Sequence, residues 1–203
     1  SSVKATINVY RPFIWIFMLE VLSLFTAYLF ATQPIIRKVK DRFKLDRLQE
    51  SDLLSVGVLV GLSLILGLVI GMISSIQLSV GREYVPSWVF LAVLASFVLV
   101  QLQYLLLKHF RVIGMGLAFF MLISYVYLSS AIGTTATLSG LPALVKNVNL
   151  LSILEGQFAG YFDGQTAGIG VFFGLLVFFG LLAVANIFIP KKFTQTKEIE
   201  SSL

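Results

Sequence analysis

The sequence predicts an all-α membrane protein: five transmembrane helices, a short inner amphipathic segment and an apolar outer helical segment, interfacial or re-entrant. Three observations predict it. Of the 203 residues, 58% are hydrophobic and 12% charged, whereas a soluble domain is about half apolar and about a quarter charged. Mean hydropathy is +0.94. Apolar runs of roughly 20 residues, enough to cross a bilayer at about 1.5 Å per residue, recur along the chain. The charges gather between those runs.

Residues 1–11 are polar and read as the extracytoplasmic end of an upstream region, because the chain begins Ser1-Ser2 without Met and no signal peptide precedes the first span. The membrane domain is expected over 12–190. Its first span is 13–33, with Tyr10 and Trp15 where an interfacial aromatic belt falls and Pro34 closing it.

Next comes the stretch that orients the chain. Arg37, Lys38, Lys40, Arg42, Lys44 and Arg47 lie between two apolar runs, and the positive-inside rule places them in the cytoplasm. Ile36, Val39, Phe43 and Leu48 share one helical side there, as in a short amphipathic helix on the inner surface. Ser51 is an N-cap for the following helix, with Asp52 in its first turn.

The second span, 53–76, carries Gly57, Gly61, Gly67 and Gly71. At 100° per residue they form a stripe roughly 120° wide, which allows another helix backbone to come close. A short outer turn around Gly81 leads to the third span, 87–107, with Tyr84 and Trp88 as outer anchors. A tight inner turn, Lys108 to Arg111, precedes the fourth span, 112–132.

The outer segment, 133–166, is too apolar for an ordinary loop. Its Leu, Val and aromatic residues recur at helical spacing, interrupted by Lys146, Asn147, Asn149 and Glu155. Those four polar groups exclude a sixth full crossing. One or two short helices in, or dipping into, the outer leaflet are expected, with Pro142 in a first turn and Gly156 and Gly160 as breakers. The fifth span, 167–189, has Gly170 and Gly174 as packing glycines. Pro190 ends it, and 191–203 form a polar cytoplasmic tail.

The orientation follows from the 15 cations. Arg37, Lys38, Lys40, Arg42, Lys44, Arg47, Lys108, Arg111, Lys191, Lys192 and Lys197 fall on one side of the five spans. Only Lys4, Arg11, Arg82 and Lys146 fall on the other. The N-terminus is therefore expected outside and the C-terminus inside a cell membrane crossed several times.

Little in the chain points to chemistry. The net charge of +5 flanks apolar spans, so it reads as a topology signal with affinity for anionic headgroups rather than a nucleic-acid footprint. Without cysteine there is no disulfide, thiolate metal site or cysteine nucleophile. The single histidine, His109, sits in the inner turn with no second histidine or carboxylate close in sequence. No phosphate-binding glycine loop is present. No catalytic residue, metal ligand or cofactor site is assigned, and the chain is not expected to be an enzyme.

The intramembrane polar residues are the remaining candidates. Glu20 is the one acid well inside a span, at a cost of ~2.5–3.5 kcal/mol unless protonated, paired or hydrated. It reads as a proton or substrate contact, as a protonated group bonded to a neighbouring helix, or as a carboxyl near enough to the outer interface to be hydrated. Gln101 and Gln103 point to different sides of the third span, so at least one must meet another helix. Asn186 is a helix contact or an interfacial group.

The stretch Phe110 to Gly164 carries a family resemblance. Gly114 opens a span after a basic turn. Ser129 and Ser130, followed by Gly133 and Thr134, close it; a Pro-containing apolar segment and a small-plus-aromatic stretch follow. This resembles the C-terminal membrane region of the YhgE/Pip (phage infection protein) and EsaA/YueB family of Gram-positive bacteria. In layout it also resembles the membrane half of a type-2 ABC exporter permease. Pip members carry a Gly-Gly-Thr-Phe-Pro-like run where this chain has Ile132-Gly133-Thr134-Thr135-Ala136, and a Leu-Pro-Met-Thr-Tyr-like run where it has Asn149-Leu150-Leu151-Ser152-Ile153. Both departures lean toward the EsaA side.

The resemblance implies a membrane-anchoring scaffold of a type VII protein-secretion accessory subunit. Its ectodomain crosses the wall and can serve phages as a receptor. The expected partners are the lipid bilayer and other membrane subunits, or further copies of the chain as a homodimer or larger assembly. The alternative is an exporter permease half with a separate cytosolic ATPase docked on Arg37–Leu48 and a pathway near Glu20. A third reading is a lipid-interacting adaptor that uses the outer segment.

Overall fold

The computed structural model describes residues 2–32, 35, 38, 41, 42, 53–128 and 140–189, with side chains from residue 12 onward. Lys38 and Arg42 are helical and exposed. Arg37, Lys40, Lys44, Arg47, the Ser51 cap and the tail lie outside the described residues.

Every regular element among the described residues is helical. They are α1 (Ser2–Thr32), α2 (Leu53–Gln77), α3 (Val85–Phe110), α4 (Val112–Leu128), α5 (Leu141–Val148), α6 (Leu150–Gly160), a single 3-10 turn (Tyr161–Asp163) and α7 (Ile169–Phe188). Four stretches are long and apolar enough to cross a membrane: Pro12–Thr32, Leu53–Gln77, Val85–Phe110 and Ile169–Phe188. The shorter apolar α4 begins where the fourth span was expected and is described for 17 residues. The chain is thus a multi-pass membrane protein, with large apolar side chains such as Ile65, Phe120, Phe173 and Leu181 on its outer surface.

The helix boundaries follow local chemistry. In α1 the helix runs on through Pro12; the missing N–H removes one ladder bond without ending the helix. Pro86 stands in the first turn of α3 and Pro142 in that of α5, where the absent donor costs nothing. Arg111, with φ 47°, is the sole residue between α3 and α4. That sharp reversal lays α4 back along α3. A Cβ on Gly114 would overlap the Leu106 carbonyl, so only glycine permits the approach.

The architecture centres on α3, which packs against α1, α2, α4 and α7. Of its apolar stretch 67% is buried, against 11% for α7. Spans of similar composition therefore occupy different layers: α3 is the core and α7 is mostly exposed at the periphery. Two apolar clusters surround α3. One joins Ile16, Leu19, Trp88, Leu91 and Leu99 to Leu151, Leu154 and Phe158. The other joins Leu24, Ala27, Leu59, Tyr104 and Ala118.

Trp88 is not the interfacial anchor expected from its place near a span end. It is 1% exposed, donates its indole N–H to Ser74 Oγ at 2.8 Å, and meets Phe158, Tyr161 and Phe162 edge-on. The cause is α6, which covers this end of α3 where bilayer headgroups were expected.

The outer segment does form two short helices, broken at Asn149. The Asn149 amide donates to the Met121 carbonyl at 2.9 Å and to Ser124 Oγ at 3.0 Å. Its Oδ1 accepts from Leu151 N at 3.0 Å, capping α6. Met121 lies roughly 13 Å along α4 at about 1.5 Å per residue. At its far end α6 reaches Trp88, close to the start of α3, and Tyr161 OH lies 2.6 Å from Ser87 Oγ. From its break at α4 the outer segment thus runs back toward the α2–α3 turn, packed on protein, and both polar atoms of the Asn149 side chain are used.

Candidate functional site

The polar residues that the sequence places inside spans converge on α3. Glu20, Gln101, Gln103 and Asn186 are each 0% exposed. Gln103 Nε2 donates to Glu20 Oε2 at 2.9 Å and to its own helix at Leu99 O, 3.1 Å. Gln101, two residues earlier, faces the opposite neighbour. Asn186 Nδ2 on α7 donates to Gln101 Oε1 at 2.8 Å and to Gln101 O at 3.1 Å. Two positions along a helix is about 200° of rotation, so one pair of glutamines ties α1 to one side of α3 and α7 to the other.

Lys108 extends this spine. Its stem is buried beside Tyr104, with the ammonium 5.7 Å from the ring centroid. Nζ donates to the backbone carbonyl of Asn186 at 2.6 Å. That carbonyl belongs to the last turn of α7, where the helix dipole is negative and carbonyls lack intrahelical donors. In the sequence Lys108 stands out only as one of the cations that orient the chain. Its capping role was missed because nothing along the chain reveals which helix end lies opposite.

Glu20 Oε1 and Gln103 Oε1 are buried without a hydrogen-bond partner. Both are acceptors on the same side-chain pair. A neutral Glu20 carboxyl carries the O–H that such a pair lacks, and a cyclic acid–amide pair would occupy both. Glu20 is enclosed by protein, so the arrangement joins helices and opens no path to water. Among the described residues no group of three or more His, Cys, Asp or Glu gathers as a metal site.

The candidate packing glycines divide in two. A Cβ on Gly67 would stand 2.5 Å from Val93 Cα and 3.0 Å from the Ala92 carbonyl, and one on Gly71 3.1 Å from Val89 Cα. Here α2 and α3 touch backbone to backbone, and Ser74 and Ser75 continue the buried face. Gly57, Gly61, Gly170 and Gly174 meet nothing of the chain within 4 Å of an added Cβ. Among the described residues these four therefore make no close helix–helix contact: they lie on exposed faces of α2 and α7.

These features define a polytopic helical membrane domain with a central crossing, a buried polar spine and a pair of short helices packed against it. The chain belongs to the EsaA helical domain family, whose model matches residues 8–187. No curated protein and no solved structure matches it.

Proposed function

We propose that this domain is the non-catalytic membrane anchor and scaffold of a type VII secretion accessory subunit. It sits in the cell membrane with its N-terminus outside, and it associates with other membrane subunits or with further copies of itself. The family match over residues 8–187 carries the reading. The site chemistry supports it. Gln103 bonds Glu20 and Asn186 bonds Gln101 across helix boundaries, as helix-joining residues do in lipid, while one polar atom of each of the four side chains stays buried and unpaired. An exporter permease half would need an accessible route near Glu20, and that carboxyl is 0% exposed. The outward glycines of α2 and α7 leave backbone accessible to neighbouring helices, the feature a scaffold uses. Display of an ectodomain that phages exploit accords with the same anchor role.

The test is replacement of residues 12–189 in the chromosomal gene by unrelated spans of equal number and orientation. Exported proteins are then measured by mass spectrometry of the medium, and membrane partners by co-purification. Loss of both, at unchanged protein level, is expected. Export that continues with the unrelated spans overturns the scaffold reading. ATP-driven transport by this protein and one ATPase alone, in vesicles, would establish the exporter instead.

A further inference from the structure

Two atoms of the polar spine have no hydrogen-bond partner among the described residues, and no change of protonation can supply one. Gln101 Nε2 is a buried donor and Asn186 Oδ1 a buried acceptor. They belong to side chains that already touch. Asn186 Nδ2 donates to Gln101 Oε1 at 2.8 Å and to the Gln101 backbone carbonyl at 3.1 Å. Each free atom is therefore the neighbour, within one planar amide, of an atom that is bonded. The two lie within reach of a single bridging molecule.

The orientation of both amides is fixed. Turning Asn186 over would set Oδ1 against Gln101 Oε1 and the Gln101 carbonyl, an acceptor against two acceptors. Turning Gln101 over would set Nε2 against Asn186 Nδ2, a donor against a donor. Both hydrogens of Nδ2 are engaged. Its bond to the backbone of α3 holds Asn186 away from the cyclic amide pair in which Nε2 would also donate to Oδ1.

The contact on the other side of α3 is different. Glu20 Oε1 and Gln103 Oε1 are both acceptors, and the O–H of a neutral carboxyl supplies the hydrogen they lack. Between Gln101 and Asn186 neither amide titrates. The complement to one free donor and one free acceptor is a small neutral molecule that accepts one hydrogen bond and donates another. Gln101 and Asn186 are each 0% exposed, which limits that molecule to the size of water. Buried waters bridge about two to four otherwise unsatisfied polar groups. Ala183, one turn before Asn186 on the same face of α7, carries nothing beyond Cβ to compete for the space. Lys108, whose ammonium caps the last turn of α7, stands about 10 Å further along α3 and marks the shorter way to the aqueous phase.

We propose that Gln101 and Asn186 hold one buried water molecule between α3 and α7, which accepts from Gln101 Nε2 and donates to Asn186 Oδ1. The site does not depend on the proposed secretion role. It makes water a structural member of the joint that ties the least buried crossing to the core.

The test is solid-state NMR of the full-length protein in lipid bilayers, with ¹⁵N in glutamine side chains and magnetisation transferred from water. Signals are assigned by difference against Gln101→Met, Gln103→Met and Gln77→Met. Gln77 is exposed at a helix end and sets the upper reference. Gln103 is buried with its amide donors on Glu20 and Leu99 and sets the lower one. Transfer to Gln101 should exceed transfer to Gln103 several-fold. Asn186→Gln, whose longer amide can reach Nε2 directly, and Asn186→Leu, which removes the acceptor, should each lower it to the Gln103 level with α-helical content unchanged. Transfer to Gln101 no greater than to Gln103 in the unaltered protein overturns the proposal. Transfer undiminished in both Asn186 variants overturns it as well, since that water is then held without Asn186. A direct hydrogen bond between Nε2 and Oδ1 in a high-resolution cryo-EM map would do the same.

Discussion

The Lys108 ammonium lies 2.6 Å from the Asn186 carbonyl oxygen, so the last turn of α3 caps the last turn of α7. The Asn186 side chain simultaneously reaches Gln101. A crossing with only 11% of its apolar stretch buried is thus held at one end by a polar clamp.

Removing the clamp should free that end of α7. Lys108→Met removes a charged hydrogen bond, worth about 1.5–3 kcal/mol. Asn186→Leu removes the two bonds to Gln101 but leaves the capped carbonyl. Both should raise hydrogen exchange of residues 182–188 relative to 169–175, Lys108→Met more strongly. Uniform exchange along α7 in both variants would show that apolar packing alone fixes the helix.

Glu20→Gln should preserve stability to within about 0.5 kcal/mol, because a neutral amide can replace a neutral carboxyl opposite Gln103. Glu20→Leu should cost about 0.6–1.7 kcal/mol, from the average to the maximum found for hydrogen bonds between membrane helices. The double variant Glu20→Leu/Gln103→Leu should recover part of that loss, since no polar atom is then left alone. Reversible unfolding in mixed micelles measures all three. Severe destabilisation by Glu20→Gln would mean that the charged form is required.

Gly67 and Gly57 provide a matched pair on one helix. Gly67→Ala sets a methyl 2.5 Å from the Val93 backbone, and overpacking of this kind costs about 1–3 kcal/mol. Gly57→Ala meets nothing within 4 Å and should be neutral to slightly stabilising in the isolated chain. A loss of co-purified membrane subunits in Gly57→Ala, with stability unchanged, would place the scaffold interface on that exposed face.

The absence of cysteine makes topology direct to measure. With Glu83→Cys in the α2–α3 turn and Lys38→Cys in the basic stretch, a membrane-impermeant maleimide on intact cells should label the first and spare the second. Both positions are exposed. The reverse pattern would invert the orientation.

The crossings were legible because a bilayer imposes one length and one composition on each. Expected spans at 53–76 and 167–189 correspond to helices at Leu53–Gln77 and Ile169–Phe188. The two short helices of the outer segment were legible from Pro142 and the polar interruptions. The rank of the helices was not. The most buried helix, α3, is less apolar than the more exposed α2 and α7: burial by protein or by lipid asks for the same residues, and hydropathy does not separate the two. That ambiguity also misplaced Trp88. The glycines of α2 looked equivalent because periodicity defines a stripe but not the length over which a partner follows it; α3 follows it only at Gly67 and Gly71. Gln101 and Gln103 were flagged as needing partners, but their choice of Asn186 and Glu20 depends on which helices flank α3.

The link between Glu20 and Gln103 has a consequence for biogenesis. Glu20 leaves the ribosome 83 residues before the amide that receives it. Through that interval α1 carries an unmatched carboxyl and α3, which alone could shelter it, does not yet exist. The polar seam between α1 and α3 can therefore close only after the middle of the chain has been made.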